Sequence, residues 1–215
     1  MSQVPNIEFV ENGLEVHTRG LLAQGHAELS VSVADAVILA ESKAFLCYVA
    51  GYVLDQSVHI RPGETLRYGY WLVKFELRDD RMLQVWEYNA EGTEFIPGAT
   101  LALTYWRDQH LVCEKFGAAF SAPQADQLAV ISEGVLEGDS VQGVRYPSPG
   151  HMSGWWITSD RYDGDIRSLK HEHLYHVTAA RPELVQYLAL PYGFRFDLSQ
   201  REDVWFEESV AKEPQ

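Results

Sequence analysis

Alternation of apolar and polar residues predicts strands near the start of the chain. Leu29, Val31 and Val33 recur at every second position, which is the period of a half-buried strand. Before them, Asn12-Gly13 separates two short apolar runs, and an Asn-Gly pair in such a place is a strong signal for a tight hairpin. We therefore expect the first part of the chain to build an antiparallel sheet.

The hydrophobic period then changes to that of a helix over residues 35–55. No proline interrupts this segment, and Ile38, Phe45, Val49 and Tyr52 are separated by seven, four and three positions. Apolar residues surround most of the helical circumference, so we expect the helix to be largely buried.

Strand patterns return after the helix. The aromatic-rich segments 66–77 and 82–88 flank a tight turn and predict a hairpin. Segments 100–107 and 111–116 are also rich in β-branched and aromatic residues, and they predict a further pair of strands across Asp108-Gln109-His110. The first part of the chain is thus predicted to be a mostly antiparallel sheet that carries one long helix.

A composition change marks a boundary after these strands. Residues 117–125 are small, nearly uncharged and include a proline, which is typical of a linker. We therefore predict an α+β protein with two small domains, residues 1–120 and residues 126–210. Each domain is expected to be a mostly antiparallel sheet with one or a few packed helices.

The second domain is predicted to open with short strands at 128–132 and 141–146. The stretch Ser153–Asp165 is the most informative one, because an aromatic-rich strand runs directly into an acidic turn. An alternating segment at 171–178 predicts another strand. Pro182 suits the first position of a helix, and it is followed by apolar residues at helical spacing. Two closing strands are predicted at 194–196 and 204–206.

Two interpretations of the stretch Ser153–Asp165 remain open at the sequence level. In the first, Trp155 and Trp156 fill a core while the aspartates cap the next segment, since Asp side chains readily bond their own backbone. In the second, the loop presents its carboxylates as a recognition surface or a cation site. Turn chemistry alone accounts for every aspartate, which favours the first interpretation.

The three histidines His171, His173 and His176 suggest a metal site. On a strand, His171 and His173 would share one face and His176 would point to the other, so only two could converge. Zinc sites usually carry tighter ligand spacings than this. Cys47 and Cys113 lie in apolar runs without metal or redox spacing, and they indicate buried thiols in a reducing compartment.

Charge narrows the classes of partner. The chain has 215 residues and a formal charge of −14, from 31 acidic residues against 17 Lys plus Arg. Nucleic acids and anionic membranes bind basic patches, so neither is expected as a partner. A basic protein partner would suit this excess of acidic residues.

No nucleophile elbow or phosphate-binding loop is present in the sequence, and no cofactor is expected. The oligomeric state cannot be read from these features.

The region from Leu128 to Glu208 resembles the immunity protein 33 family, a group of small bacterial domains. The resemblance covers about two-fifths of the chain and consists of short matches in the same order: Val130-Ile131-Ser132, Val135-Leu136-Glu137-Gly138, Ser153-Gly154-Trp155, Ser159-Asp160, Asp163-Gly164-Asp165, His173-Leu174-Tyr175-His176-Val177, Pro182-Glu183-Leu184 and Leu190-Pro191-Tyr192-Gly193-Phe194. It implies a non-catalytic, cytoplasmic protein that protects a bacterium by binding a cognate toxin. Residues 1–117 carry no comparable resemblance.

An immunity protein needs a rigid and electrostatically complementary surface rather than a catalytic site. A nuclease toxin would be basic because its substrate is anionic, so an acidic chain could block one. The candidate contact residues are the acids and the tyrosine of the loop together with whichever tryptophan is exposed: Trp155, Trp156, Asp160, Tyr162, Asp163 and Asp165. The alternatives are a metal-dependent hydrolase built on the histidines and the loop Asp160–Asp165, and an adaptor protein with a partner other than a toxin.

Overall fold

The computed structural model describes residues 4–212 and has an α+β architecture, as predicted. Contacts within the chain divide it into two compact units. Unit 1 comprises residues 1–89 and 93–107, and unit 2 comprises residues 90–92 and 108–215. The two domains predicted from the sequence, 1–120 and 126–210, stay a prediction, while the contacts place the division between Arg107 and Asp108.

Unit 1 contains a seven-stranded sheet in which most neighbours are antiparallel. Its strands are β1 (Glu8–Asn12), β2 (Glu15–Arg19), β3 (Leu29–Ser32), β4 (Thr65–Tyr68), β5 (Trp71–Leu77), β6 (Leu83–Tyr88) and β7 (Phe95–Pro97). They run in the order β1-β2-β3-β6-β5-β4, with β7 paired to β6. The hairpin around Asn12-Gly13 is confirmed, and Gly13 takes the positive φ that this tight turn requires.

Helix α1 (Leu39–Asp55) packs on this sheet and confirms the helix predicted at 35–55. A short 3₁₀ turn precedes it, in which the Asp35 carboxylate accepts the backbone N–H of Val37. Phe45, Leu46 and Val49 are buried. By length and composition alone, the segment Ala36–Asp55 could cross a membrane, a test that core helices of folded domains also pass.

The strand pair predicted at 100–107 and 111–116 is wrong, because these residues form helix α2 (Thr100–Lys115). Buried positions at Ala102, Leu103, Tyr105, Gln109, Val112 and Cys113 recur with the helical period. The buried carboxylate of Glu87 accepts the backbone N–H groups of Leu101 and Ala102, at 3.0 and 2.6 Å, and so caps the first turn. Burial raises the pKa of Glu87, while these N–H groups act in the opposite direction.

Unit 2 contains a six-stranded sheet in the order β11-β8-β10-β9-β12-β13. The strands are β8 (Leu128–Ile131), β9 (Val141–Arg145), β10 (Met152–Ser159), β11 (Lys170–His173), β12 (Phe194–Asp197) and β13 (Asp203–Phe206). The pair β8–β10 is parallel and the other neighbours are antiparallel. The strands predicted at 128–132, 141–146, 194–196 and 204–206 are confirmed.

The strand predicted at 171–178 is only partly right. β11 ends at His173, and helix α3 (Leu174–Ala180) begins with the next residue. The backbone N–H groups of Leu174 and Tyr175 bond the carbonyls of Gln127 and Ala125, which turns the chain away from the sheet. The helix predicted after Pro182 is a 3₁₀ helix over Pro182–Tyr187, and a last short helix, α4 (Glu208–Ala211), follows β13.

Candidate partner-binding face of the C-terminal sheet

The strand β10 alternates between two faces of the sheet in unit 2. Trp155, Ile157 and Ser159 are buried on one face, which we call the core face. Trp155 is fully buried, its indole N–H donates to the Leu188 carbonyl at 3.0 Å, and its ring lies 5.3 Å from that of Phe196. Trp155 therefore fills the core, as the capping-and-core interpretation predicts, and offers no exposed anchor to a partner.

The two residues before Trp155 shape the start of this strand. Gly154 has a φ of +83°, and a side chain there would collide with the Tyr146 carbonyl. The Ser153 hydroxyl donates to the Leu128 carbonyl at 2.9 Å and accepts the Trp155 N–H at 3.2 Å. These contacts lie where the pairing register of β10 with β8 shifts. Ser153 and Gly154 thus have a structural role, because their contacts orient the Trp155 side chain towards the core.

A buried arginine on β9 joins the sheet to the loops that cover its core face. The Arg145 guanidinium donates to the carbonyls of Ser153 at 3.0 Å and Leu190 at 2.6 Å, and also to those of Ser121 and Leu188. It lies 4.9 Å from the centre of the Tyr192 ring. Burial lowers the pKa of Arg145 to about 10, so the side chain remains charged at neutral pH.

The acidic loop after β10 satisfies much of its own hydrogen-bonding capacity. Asp163 accepts the backbone N–H of Asp165 at 2.9 Å. Asp165 caps the 3₁₀ turn Ile166–Ser168 by accepting the Arg167 N–H, and its carboxylate also pairs with the Arg167 guanidinium at 2.6 Å. Arg167 therefore lowers the pKa of Asp165. These contacts match the capping role predicted for the aspartates.

The remaining loop candidates are more available to a partner. Asp160 and Asp163 are exposed, and Tyr162 is half-buried. Arg161, between them, pairs with Asp139 at 2.6 Å and so links this loop to the one that follows β8. The loop therefore presents exposed carboxylates at the end of β10 and is held by the Arg161–Asp139 ion pair. Within residues 4–212 its carboxylates do not converge on a metal site.

We call the opposite face of the sheet the open face. It carries a row of six aligned residues that includes Trp156 and Trp205, which we call the aromatic row. Pairing registers align six residues across all six strands: His171, Val130, Trp156, Val144, Arg195 and Trp205. Directly paired residues point to the same face. Val130 is buried, Trp156, Val144 and Arg195 are half-buried, and Trp205 is 38% exposed.

A second, polar row lies beside the first on the open face. The registers align Thr158, Gln142, Asp197 and Asp203. Asp197 and Asp203 are direct cross-strand partners, and like charges in this position destabilise a sheet. Asp197 accepts the Ser199 N–H at 2.8 Å, and within residues 4–212 neither carboxylate has a cationic partner. By contrast, Arg195 is held by Glu207 at 2.7 Å.

The three histidines do not form a metal centre. His173 bonds the Asp126 carbonyl at 2.7 Å, His176 bonds Glu172 at 2.6 Å, and His171 lies on the open face. In the described part of the chain, no group of three or more His, Cys, Asp or Glu side chains is placed to hold a metal ion. Nothing in this arrangement favours the metal-dependent hydrolase.

Sequence reasoning found part of this face and missed the rest. It singled out Trp156, which lies near the centre of the aromatic row. It missed Arg195 and Trp205, although their segments were predicted as strands. The alternation in each segment shows which residues share a face, but the pairing of β12 with β9 and β13 decides which residues meet, and this pairing depends on contacts distant in sequence.

Comparison with known families matches residues 108–207 to the Imm33-like domain. No curated protein and no solved structure matches the chain. The matched region begins at the first residue of the main segment of unit 2 and includes all six strands of its sheet. It confirms the resemblance drawn from the short sequence matches between Leu128 and Glu208. The C-terminal part of this chain, residues 108–207, is therefore similar to the Imm33-like domain.

Proposed function

We propose that this protein is an immunity protein that binds a cognate bacterial toxin and neutralises it by occluding its functional surface. The match of residues 108–207 to the Imm33-like domain carries the proposal. Neutralisation by binding asks for a rigid surface of suitable shape and charge. The protein would thus act as a binder and not as an enzyme.

The open face supports this proposal on physical grounds. Its aromatic row provides large, partly exposed rings on a rigid sheet, which are the kind of side chain that dominates binding energy at interfaces. The net charge of −14 would attract a basic toxin and speed the encounter. A nuclease is the class of toxin that this charge suits best, and the cytoplasm is where an intracellular nuclease would have to be blocked.

Contact residues within the proposed interface come from two neighbouring regions. Trp156 on the open face and the loop residues Asp160, Tyr162 and Asp163 are accessible to a partner. Asp165 is committed to Arg167 and to its capping role, so it would contribute less. Trp155 is excluded as a direct contact because it is fully buried.

A competition assay tests the function even when the toxin has not been identified. The gene is deleted in the source bacterium, and the mutant is grown on a surface in contact with its parent. We expect the mutant to lose viability against the parent and to regain it when the full chain is supplied from a plasmid. A mutant that competes as well as its parent, under conditions in which the parent kills an unrelated sensitive strain, would contradict the proposal.

A further inference from the structure

We propose that the free edge of β13, with the adjoining β12–β13 part of the open face, binds an extended basic segment of the partner. This inference rests on the proposed function and specifies the interface through which it would operate. It assigns the occupant by chemistry: a strand-forming stretch whose Lys or Arg side chains reach the carboxylates of Asp197 and Asp203.

The edge of β13 provides the backbone groups for such a segment. β13 pairs with β12 on one side, and it ends the order of strands in this sheet. The Glu207 N–H bonds the Gly193 carbonyl on the β12 side at 2.8 Å. Because backbone groups alternate along a strand, Trp205 also faces β12, and the N–H and C=O groups of Val204 and Phe206 point away. An added strand would pair with these outward groups.

The side chains beside this edge provide an aromatic and acidic surface. Trp205 and Phe206 are 38% and 52% exposed, on opposite faces of β13. Trp205 shares its face with the Asp197–Asp203 pair, whose mutual repulsion a cation would relieve. Arg195 is ion-paired with Glu207 and, within residues 4–212, forms no ion pair with either aspartate. A Lys or Arg of the partner could pair with the carboxylates and lie over the Trp205 ring.

Charge selects a basic partner over a second copy of this chain. A second copy would bring its own Asp197–Asp203 pair to the same edge, and like charges at a strand edge oppose pairing. The same carboxylates attract a basic strand. The edge is therefore protected against self-association while remaining open to an oppositely charged segment.

The competition assay, with the parental strain as the source of toxin, tests this inference. The deletion mutant receives the full chain with the double substitution Asp197→Lys/Asp203→Lys. We expect survival to fall at least tenfold relative to the wild-type chain. The control is Glu11→Lys/Asp79→Lys, which changes the net charge equally at exposed positions of unit 1, and it should protect like the wild type. Equal protection by both double variants would overturn the inference.

A matched pair of substitutions separates the strand edge from the side chains. Phe206→Pro removes an N–H that points away from β12, so the β12–β13 ladder is kept while strand addition is blocked. Phe206→Ala removes the same ring and keeps the N–H. We expect Phe206→Pro to protect at least fivefold less well than Phe206→Ala. Equal protection by the two variants would contradict strand addition.

Separate controls distinguish a loss of folding from a loss of function. Each purified variant is compared with the wild type by far-UV circular dichroism and urea denaturation, and a variant that fails to fold is replaced by Asp197→Asn/Asp203→Asn, for which a smaller loss in the same direction is expected. If the wild-type chain itself fails to restore survival, the proposed function falls. If the wild type protects and the folded β12–β13 variants protect equally well, only the inference falls.

Discussion

Trp155 and Trp156 are adjacent in sequence but belong to opposite faces of the same sheet. Trp155 is enclosed by Phe196, the Leu188 carbonyl and Arg145, whereas Trp156 touches Tyr146 and remains partly open to solvent. Each face also carries one arginine in a different environment. Arg145 is buried among backbone carbonyls, whereas Arg195 is ion-paired with Glu207 and half-buried. One face therefore forms the core of the unit, and the other is partly exposed to solvent.

Replacing the two tryptophans in turn should give the largest contrast between the faces. Trp155→Ala removes a fully buried ring and should lower the free energy of unfolding by about 4 kcal/mol. Trp156→Ala removes a half-buried ring and should cost no more than about 2 kcal/mol. Urea denaturation of both variants measures the difference. Equal losses would show that the division between core and open face is wrong.

The two arginines give the second contrast. Arg145→Met removes the guanidinium donor from four carbonyls, of which that of Leu188 also accepts the Trp155 indole N–H, and we expect a loss of about 3 kcal/mol. Arg195→Met breaks a partly exposed ion pair and should cost about 1 kcal/mol or less. The comparison uses the same substitution on β9 and on β12, so thermal or urea unfolding reports the environment. A larger loss for Arg195→Met would contradict the structural role of Arg145.

Glycine substitutions sharpen the account of the Ser-Gly-Trp sequence. Gly154→Ala places a methyl group against the Tyr146 carbonyl at a positive φ, and it should cost about 2 kcal/mol. Gly150→Ala, in the loop before β10, meets nothing within 4 Å and serves as the control. Its unfolding midpoint should stay close to that of the wild type. A Gly154→Ala variant as stable as the control would disprove the structural role of Gly154.

The smallest effect on stability is expected at the β13 edge. Trp205→Ala should change the free energy of unfolding by about 1 kcal/mol or less, because the ring is 38% exposed on an edge strand. Protection in the competition assay should nevertheless fall several-fold. If Trp205→Ala lost much stability but protected as well as the wild type, Trp205 would be a core residue and not a binding residue.

Local patterns in the sequence account for most strands but not for helix α2. Thr100, Tyr105 and Trp106 suit strands by propensity, whereas the helical spacing of the buried positions and the Glu87 cap both favour the helix. The break between β11 and α3 has a similar cause, since it depends on carbonyls of the segment before β8. The Glu87 cap and the bonds that end β11 are contacts between residues distant in sequence, which strand propensity does not record.

The candidate site divides in the same way. The capping role of Asp165 could be predicted from turn chemistry, and the central position of Trp156 followed from its strand. The open face as a whole could not be predicted, because it is assembled by the registers of five strand pairs. Alternation narrows each strand to two faces, and only the three-dimensional pairing selects one.

The partners of Arg145 have a consequence for how this domain can vary. All four of its acceptors are backbone carbonyls, at Ser121, Ser153, Leu188 and Leu190. A carbonyl is present whatever side chain a residue bears, so this anchor does not constrain the side chains around it through charge pairing. The fold can therefore be kept while surface side chains are substituted, which is an advantage for any protein whose target keeps changing.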